Sequence, residues 1–590
     1  MISYGETILQ RRRLAIITMS LAVFAVVLGA RLFYLQIVMH GRYTNEASIE
    51  HTRKYEVPAR RGELYLHDGS DGQSPLALNQ TLDVVEADPS QMKDKADVAS
   101  KLAATLGGSA DTYRKKLDAG REYVKIADRV PLDTGAKLRA LKLMGVWTKE
   151  ETYRTYPEGS LAGQVAGFVN NDGKGQYGIE QYLNDQLAGS PGQFGAKVDN
   201  VTGAPIATAN NIIKPPENGA SYLLTIDRSV QAMAEQQLAA GVQNVKAKSG
   251  SVVIMNPANG AIIAMANYPA FDPNNYAQTT DYTTFLNQAV DLQFEPGSGI
   301  KTFTMAAGLD QGKVTPDTTY DDPGCYKVDD RQVCNAAGDK AGPHKTMTVV
   351  LRDSLNTGVM YVLKLLGGNP DKFMLAGKKL LYDYFTKHFG FGTRTGIEQA
   401  NEVAGTINQP SNAAGNDVNY ANMSFGQGMS VTMIQMVSAM AAVANGGKLW
   451  QPHLLDAQIN TDGGLKKIQP KLIRDHVISP KTASDLNQML QVVVAHGSGY
   501  RIYDDPTNKQ YKIAGKTGTA QIPKPDGTGY IDGANIGSFT GFAPAENPKF
   551  VMMVQINQPG VPGYAEFTTV PIFSAITSWL FKYYGLPPSH

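Results

Sequence analysis

At 590 residues the chain is long enough for two to four domains and more than one buried core. Its 55 Lys and Arg residues nearly cancel its 54 Asp and Glu residues, so charge offers no argument for a nucleic-acid partner or for an acidic surface as the main business. No run of like charge and no low-complexity tract points to a disordered tail beyond the first dozen residues.

Leu14 to Ala30 is uncharged and mostly apolar, and the apolar character resumes after Arg31 up to Val38. At ~1.5 Å per residue, about 25 residues cross a ~30 Å hydrocarbon layer with some tilt. Arg11, Arg12 and Arg13 precede the stretch, which predicts that residues 1–13 stay in the cytoplasm and everything after the helix is exported. A cleaved signal peptide is the competing reading, since Leu28-Gly29-Ala30 is a passable cleavage site. Signal cores are usually only ~7–15 residues long, however, and this one continues past Arg31, so an uncleaved anchor over 14–38 is expected.

Residues 39–216 read as mixed short strands and polar turns without a nucleophile constellation. Arg61-Gly62-Glu63, Arg154-Thr155-Tyr156-Pro157 and Tyr177-Gly178-Ile179-Glu180 look like packing and turn residues of an α+β spacer or docking module. Ser90-Gln91-Met92-Lys93 has the spacing of a serine and lysine on one helix face, but it sits in a polar run and reads as a solvated helix start. Pro215-Pro216 is a plausible linker.

From 217 to 590 the signals are denser. Asp227 is a natural N-cap for a helix from Arg228, and Asn259-Gly260 is a hairpin turn between two apolar strands. Thr432 and Gln435 form a capping box, and Ser538–Ala543 with Phe550–Ile556 reads as a second hairpin. The last helix gathers Ile572, Ile576, Trp579, Leu580 and Tyr583 on one face. Helices and hairpins at both ends of this region imply an antiparallel sheet sandwiched by helices, an α+β domain.

Within it, Glu295-Pro296-Gly297 breaks the chain before Ser298-Gly299-Ile300-Lys301. A serine and a lysine three apart at a helix start lie about a turn from each other, so an amine can activate the hydroxyl without a histidine. Chance supplies roughly one or two such matches in a chain this long. Further on come Ser354-Leu355-Asn356 and Lys516-Thr517-Gly518-Thr519, at gaps of about 56 and about 160 residues. This order of motifs is the signature of penicillin-reactive serine transferases.

Cys325 and Cys334, the only two cysteines, bracket an eight-residue hairpin candidate. A turn at Asp329-Asp330 would oppose Val328 to Arg331 and Cys325 to Cys334, within disulfide reach, and an exported domain permits the bond. Two cysteines and scattered histidines give no zinc-ligand spacing, so neither a metal nor a cofactor is expected.

Taken together the residues resemble the class B penicillin-binding proteins, monofunctional cell-wall transpeptidases. The resemblance runs over nearly the whole chain and rests on Leu223–Arg228, Glu295-Pro-Gly-Ser298, Ser424-Phe-Gly-Gln-Gly428, Gly515–Gln521 and Pro544. Glu295-Pro-Gly-Ser298 and Ser354-Leu-Asn-Thr-Gly358 look closer to the septal, FtsI-type branch than to the elongation branch. The resemblance implies a penicillin-binding protein dimerisation-like pedestal over 39–216 and a serine β-lactamase/D,D-transpeptidase-like domain over 217–590. In the pedestal, Leu66-His67 stands where the family usually has Asp-Arg, which questions the usual ion pairing between pedestal segments.

The implied roles follow. Ser298 attacks the bond between two terminal D-alanines of a peptidoglycan stem peptide, with neutral Lys301 as the favoured base. Ser354 relays a proton to the leaving amine, and Asn356 orients Lys301 and holds the substrate amide. Lys516 and Thr517 grip the substrate carboxylate, Gly518 lets the strand approach the ligand, and the backbone N–H groups of Ser298 and Thr519 form the oxyanion hole. β-Lactams imitate the substrate end. Implied partners are a membrane glycosyltransferase of the SEDS family, other division proteins and the cell membrane. A D,D-carboxypeptidase or endopeptidase would use the same residues with water as acceptor. A non-catalytic β-lactam sensor or division scaffold is the rival of another class, against which stand a very short cytoplasmic end and three intact motifs.

Overall fold

The structure, a computed structural model, describes residues 4–44, 52–69, 72–119, 122–197, 212–336, 339, 341–524, 529–561 and 564–589. The chain divides into two compact units, residues 1–60 with 189–219 and residues 61–188 with 220–590.

The first unit begins with the helix Tyr4–Phe33, which ends in one π-helical turn, Tyr34–Val38. Within Leu9–Val38 an 18-residue window reaches a mean hydropathy of 2.2; past Arg13 only Arg31 is charged, and the apolar side chains find no core to enter. A helix apolar on every side needs an apolar surrounding, so by length and composition this one is a candidate membrane anchor. The same unit holds a three-stranded antiparallel sheet in which Gly192–Lys197 lies between Thr52–Val57 and Ile212–Lys214.

The second unit is built on a five-stranded antiparallel sheet of β1 (Ser249–Met255), β2 (Ile262–Tyr268), β3 (Ala514–Pro523), β4 (Tyr530–Ala543) and β5 (Phe550–Asn557), in the order β2-β1-β5-β4-β3. Side chains alternate across it as the pleat requires. Val252, Ile254, Met552 and Val554 pack with the helices α1 (Arg228–Asn244) and α6 (Val570–Tyr583). Val253, Met255, Val551 and Met553 face the other way, into the core shared with α2 (Lys301–Asp310), α3 (Asn356–Leu366), α4 (Met433–Ala444) and α5 (Pro480–His496). The sheet is therefore sandwiched by helices, each fully buried aliphatic side chain adding about 1.5–3 kcal/mol.

Local chemistry explains the element ends. The Asp227 carboxylate accepts from the Ser229 and Val230 N–H groups at 2.9 and 3.0 Å and so caps α1. Gly260, with φ of +84°, turns β1 into β2. Thr432 and Gln435 cap α4 reciprocally. Ser90, by contrast, lies in the exposed turn Pro89–Gln91 and donates to Asp88 at 2.6 Å, a solvated turn.

A second sheet of seven strands joins distant parts of the unit. Ser221–Asp227 runs parallel to Leu64–Asp68 and antiparallel to Leu455–Ile459. Gly72–Ala87 pairs with Leu64–Asp68, Val124–Val130 and Val146–Thr155.

The three segments read from sequence as packing and turn residues converge on one carboxylate. Glu180, with none of its surface exposed, accepts from Arg61 Nε at 2.8 Å, from Arg154 Nε at 2.7 Å and from the Tyr156 hydroxyl at 3.4 Å. Arg154 also donates to the Gly62 carbonyl at 2.7 Å. Ion pairing between pedestal segments, which Leu66-His67 put in question, is made here by Arg61 and Arg154 on Glu180. Leu66 is buried, and His67 instead meets Asp456 at 2.9 Å, tying its strand to Leu455–Ile459.

Glu180→Ala strands two buried guanidinium groups, and removing one partner of a buried pair costs about 3–5 kcal/mol. The urea midpoint of the detergent-solubilised chain, followed by tryptophan fluorescence, is expected to fall accordingly. An unchanged midpoint would remove Glu180 from the role of hub.

Candidate active site

The approach to Ser298 is shaped by glycines. Gly297 has φ of +52°, and its N–H donates to the Gly426 carbonyl at 3.0 Å. A Cβ on Gly297 would lie 2.4 Å from the Thr519 carbonyl, and one on Gly426 would lie 2.1 Å from the Gly297 carbonyl. The turn is thus wedged between the 424–428 loop and strand β3, and no other residue fits either position. Glu295 steadies the entry, accepting from the Gly428 N–H at 2.9 Å and the Tyr530 hydroxyl at 3.2 Å. Burial raises its pKa.

Ser298 lies in the 3-10 turn Gly297–Ile300, which runs straight into α2 at Lys301. In a 3-10 turn residues three apart eclipse one another, so Ser298 and Lys301 share one side more closely than an α-helical start would allow. Ser298 is half-buried, whereas Lys301 is 1% exposed.

The buried amine of Lys301 donates to the Ser354 carbonyl and, at 3.2 Å, to the Ser354 hydroxyl. Lys516, also 1% exposed, donates to the same hydroxyl at 2.9 Å and to the Thr517 carbonyl at 3.2 Å. One hydroxyl therefore bridges two lysine amines. Ser354 has φ of +58°, a left-handed conformation that costs about 1–3 kcal/mol outside glycine. Burial pushes the Lys301 amine well below its ordinary range; the charge of Lys516 acts in the same sense, and Asp339 opposes it. Burial alone brings Lys516 down to about 7.

Ser298, Lys301, Ser354, Asn356, Thr517 and Thr519 line one cavity of about 360 Å³. Lys516 reaches it through Ser354. One sequence-based contact differs. The side-chain amide of Asn356 donates to the Cys334 carbonyl at 2.8 Å, whereas the Lys301 amine bonds to Ser354, so the expected orientation of Lys301 by Asn356 is not made by a hydrogen bond. A Cβ on Gly518 would lie 2.8 Å from the Pro296 carbonyl and 2.5 Å from the Ser538 hydroxyl. The glycine brings β3 against the nucleophile turn itself, setting the Ser298 and Thr519 backbones side by side.

Cys325–Val328 and Arg331–Cys334 pair with Val328 opposite Arg331 and Cys325 opposite Cys334. The two cysteines form a disulfide, their Cα atoms 4.0 Å apart.

Sequence reasoning missed Ser498, whose hydroxyl lies 2.5 Å from that of Thr517, and Tyr564 and Glu566, which also line the cavity. The Gly497-Ser498-Gly499 run after α5 was the available signal for the first. The other two had none, because they reach the site from the start of the helix Ala565–Thr568.

The penicillin binding protein transpeptidase domain matches residues 250–578, and the penicillin-binding protein dimerisation domain matches residues 56–224. Stage V sporulation protein D of Bacillus subtilis is 33% identical over 93% of this chain and 82% of its own length. The peptidoglycan D,D-transpeptidase FtsI of Escherichia coli is 27% identical, over 96% of this chain and 91% of its own length. Among solved structures, penicillin binding protein 3 of Mycobacterium tuberculosis complexed with aztreonam matches with a TM-score of 0.67 and 26% identity, over 91% of this chain and 98% of that one.

The lowered amine pKa values carry a stability signature. Unfolded lysine holds its proton up to about pH 10.4. Folded Lys516 does so only to about 7. Between these values the unfolded state binds more protons, so stability rises with pH. Relative to Lys516→Met, the parent is expected to gain roughly 2 kcal/mol of unfolding free energy between pH 7 and 9. A difference that stays constant across that range in urea titrations would show that the amine keeps its charge when buried.

Proposed function

The chain belongs to the penicillin-binding proteins with a transpeptidase domain, and from that membership we propose that it is a serine-type peptidoglycan D,D-transpeptidase that cross-links stem peptides and is acylated by β-lactams. The observation that carries this reading is the pair of buried amines joined through the Ser354 hydroxyl beside Ser298.

In the proposed cycle Lys301, neutral because it is buried next to Lys516, takes the proton of the Ser298 hydroxyl. The freed Oγ attacks the carbonyl between the two terminal D-alanines, and the resulting oxyanion is held by the N–H groups of Ser298 and Thr519. Such donors are worth ~3–4 kcal/mol each, because they are preorganised where charge develops. The proton on Lys301 then passes through Ser354 to the departing D-alanine amine. That leaves an ester on Ser298. An amine from a neighbouring stem attacks the ester, its proton returns along the same path, and the cross-link leaves the serine restored.

Lys516 and Thr517 are assigned to the substrate carboxylate. A buried anion beside Lys516 restores its positive charge, so substrate binding itself sets that lysine's protonation. Asn356 has its Nδ2 held by Cys334, which leaves its Oδ1 for the substrate amide N–H. A β-lactam carbonyl enters in place of the peptide and stalls as the ester.

In this reading the chain is organised as a cytoplasmic end (1–13), an anchor (14–38), a pedestal (39–216) and a transpeptidase domain (217–590). The apolar stretch Leu14–Val38, preceded by Arg11, Arg12 and Arg13, supports a single pass with the catalytic unit outside the cytoplasm. The Glu295-Pro-Gly-Ser298 and Ser354-Leu-Asn-Thr-Gly358 motifs, together with similarity to FtsI, support a septal role in division, alongside a SEDS-family glycosyltransferase and other division proteins.

Fluorescent penicillin is expected to label the purified chain, and Ser298→Ala to abolish labelling; covalent label on that variant would overturn the nucleophile. Lys516→Ala is expected to slow acylation about a hundredfold, the scale of losing one preorganised donor. Mass spectrometry after incubation with a D-alanyl-D-alanine thioester and a D-amino acid distinguishes the outcomes of the second step. A transfer product is expected; hydrolysis alone would make the chain a carboxypeptidase, and no turnover a sensor or scaffold.

A further inference from the structure

Helix α3, which begins at Asn356, lacks the cap that most helices carry. Its N-cap residue, Leu355, has no side-chain oxygen, so the first-turn N–H groups need acceptors from elsewhere. They find one across the chain. The Thr357 N–H donates to Asn335 Oδ1 at 2.9 Å, and the Thr357 hydroxyl lies 3.0 Å from the same oxygen. The preceding residue, Cys334, holds the Asn356 side chain through its carbonyl. The end of one strand thus grips two successive residues of the helix start, one by its side chain and one by its backbone.

The orientation of Asn335 is not free. Its Nδ2 donates to both oxygens of Asp322, at 3.1 and 3.0 Å. Asp322 is 5% exposed, forms no ion pair among the described residues, and also accepts from the Gly324 N–H at 2.9 Å and the Thr357 hydroxyl at 2.7 Å. An ionised carboxylate only accepts, so it obliges Asn335 to present its nitrogen and to turn its oxygen to Thr357. Nothing in the acylation cycle uses this buried acid.

We propose that Asp322, acting through Asn335, is a positioning residue that supplies the cap of α3 and so sets Ser354 and Asn356 in the catalytic cavity. This inference rests on the transpeptidase reading above. Asp322→Asn replaces one acceptor oxygen by a donor. Asn335 then meets a donor on its nitrogen side, and satisfying it by flipping the Asn335 amide turns a nitrogen toward the Thr357 N–H. Unflipped, the Asn335 amide is held at one oxygen instead of two and the cap loosens; flipped, the cap is lost. Exchanging the two residues, Asp322→Asn with Asn335→Asp, restores the match: the new carboxylate at 335 accepts from both the amide at 322 and the Thr357 N–H.

The test is the rate of acylation of the detergent-solubilised full chain by fluorescent penicillin, with kcat and KM for the thioester and the urea midpoint measured alongside. Asp322→Asn is expected to acylate at least tenfold more slowly and to lower kcat with KM within about twofold of the parent. The double exchange is expected to return the rate to within about threefold of the parent. A single variant acylating at the parent rate overturns the proposal. So does a double exchange that matches the parent's urea midpoint yet stays as slow as the single variant. If Asp322→Asn does not fold, Asn335→Ala removes the same cap from a half-buried position and is judged by its rate alone: at least tenfold slower supports the proposal, parent-like overturns it. A parent chain that takes no label at all is a failure of the transpeptidase reading, not of this one.

Discussion

Two buried amines share one hydroxyl, and the rest of the unit is arranged to make that arrangement hold. In water Lys301 and Lys516 would both be protonated and would repel one another. Buried, they cannot both keep their charge at moderate cost, so burial lowers both amines, and the charge of Lys516 lowers Lys301 further. Ser354 makes this possible by accepting a left-handed backbone, in which its carbonyl and its hydroxyl both reach Lys301. The site thus holds strain that its surroundings offset.

Those surroundings are close-packed backbone. Gly297, Gly426 and Gly518 let three separate segments meet where a single added methyl group would collide with a carbonyl. The sheet supplies β3 with a fixed register against β4, Lys516 opposite Thr540 and Thr519 opposite Gly537, so the Lys516 amine and the Thr519 backbone stand at set heights. Helix α2 supplies Lys301 from the other side. The cavity is a seam between sheet and helices.

The second unit handles buried charge in two opposite ways. At Glu180, one carboxylate is surrounded by two guanidinium groups and a phenol, and every gain is structural: three segments of the chain are tied together. At Ser354, two amines are buried with only a hydroxyl and carbonyls between them, and Asp339 is the acid whose field reaches Lys301. The first arrangement ties segments of the chain together, whereas in the second burial lowers the pKa of both amines.

Local sequence determined a good deal. The Asp227 cap, the Asn259-Gly260 turn, the Thr432–Gln435 box and the pairing of Cys325 with Cys334 were legible because each depends on residues a few positions apart, whose contacts backbone geometry settles. Helices and hairpins at both ends of residues 217–590 foretold a sheet covered on both faces. The spacing of Ser298 and Lys301, and the order of the three motifs, marked the residues of the cavity without saying how they touch. Tertiary structure alone decided that Asn356 is held by Cys334, that Gly518 faces the nucleophile turn, that Ser498 joins Thr517, and that Arg61, Arg154 and Glu180 form a hub. These contacts join residues from tens to hundreds of positions apart, where no periodicity constrains the partner. Only the packing of the whole core determines which donor finds which acceptor.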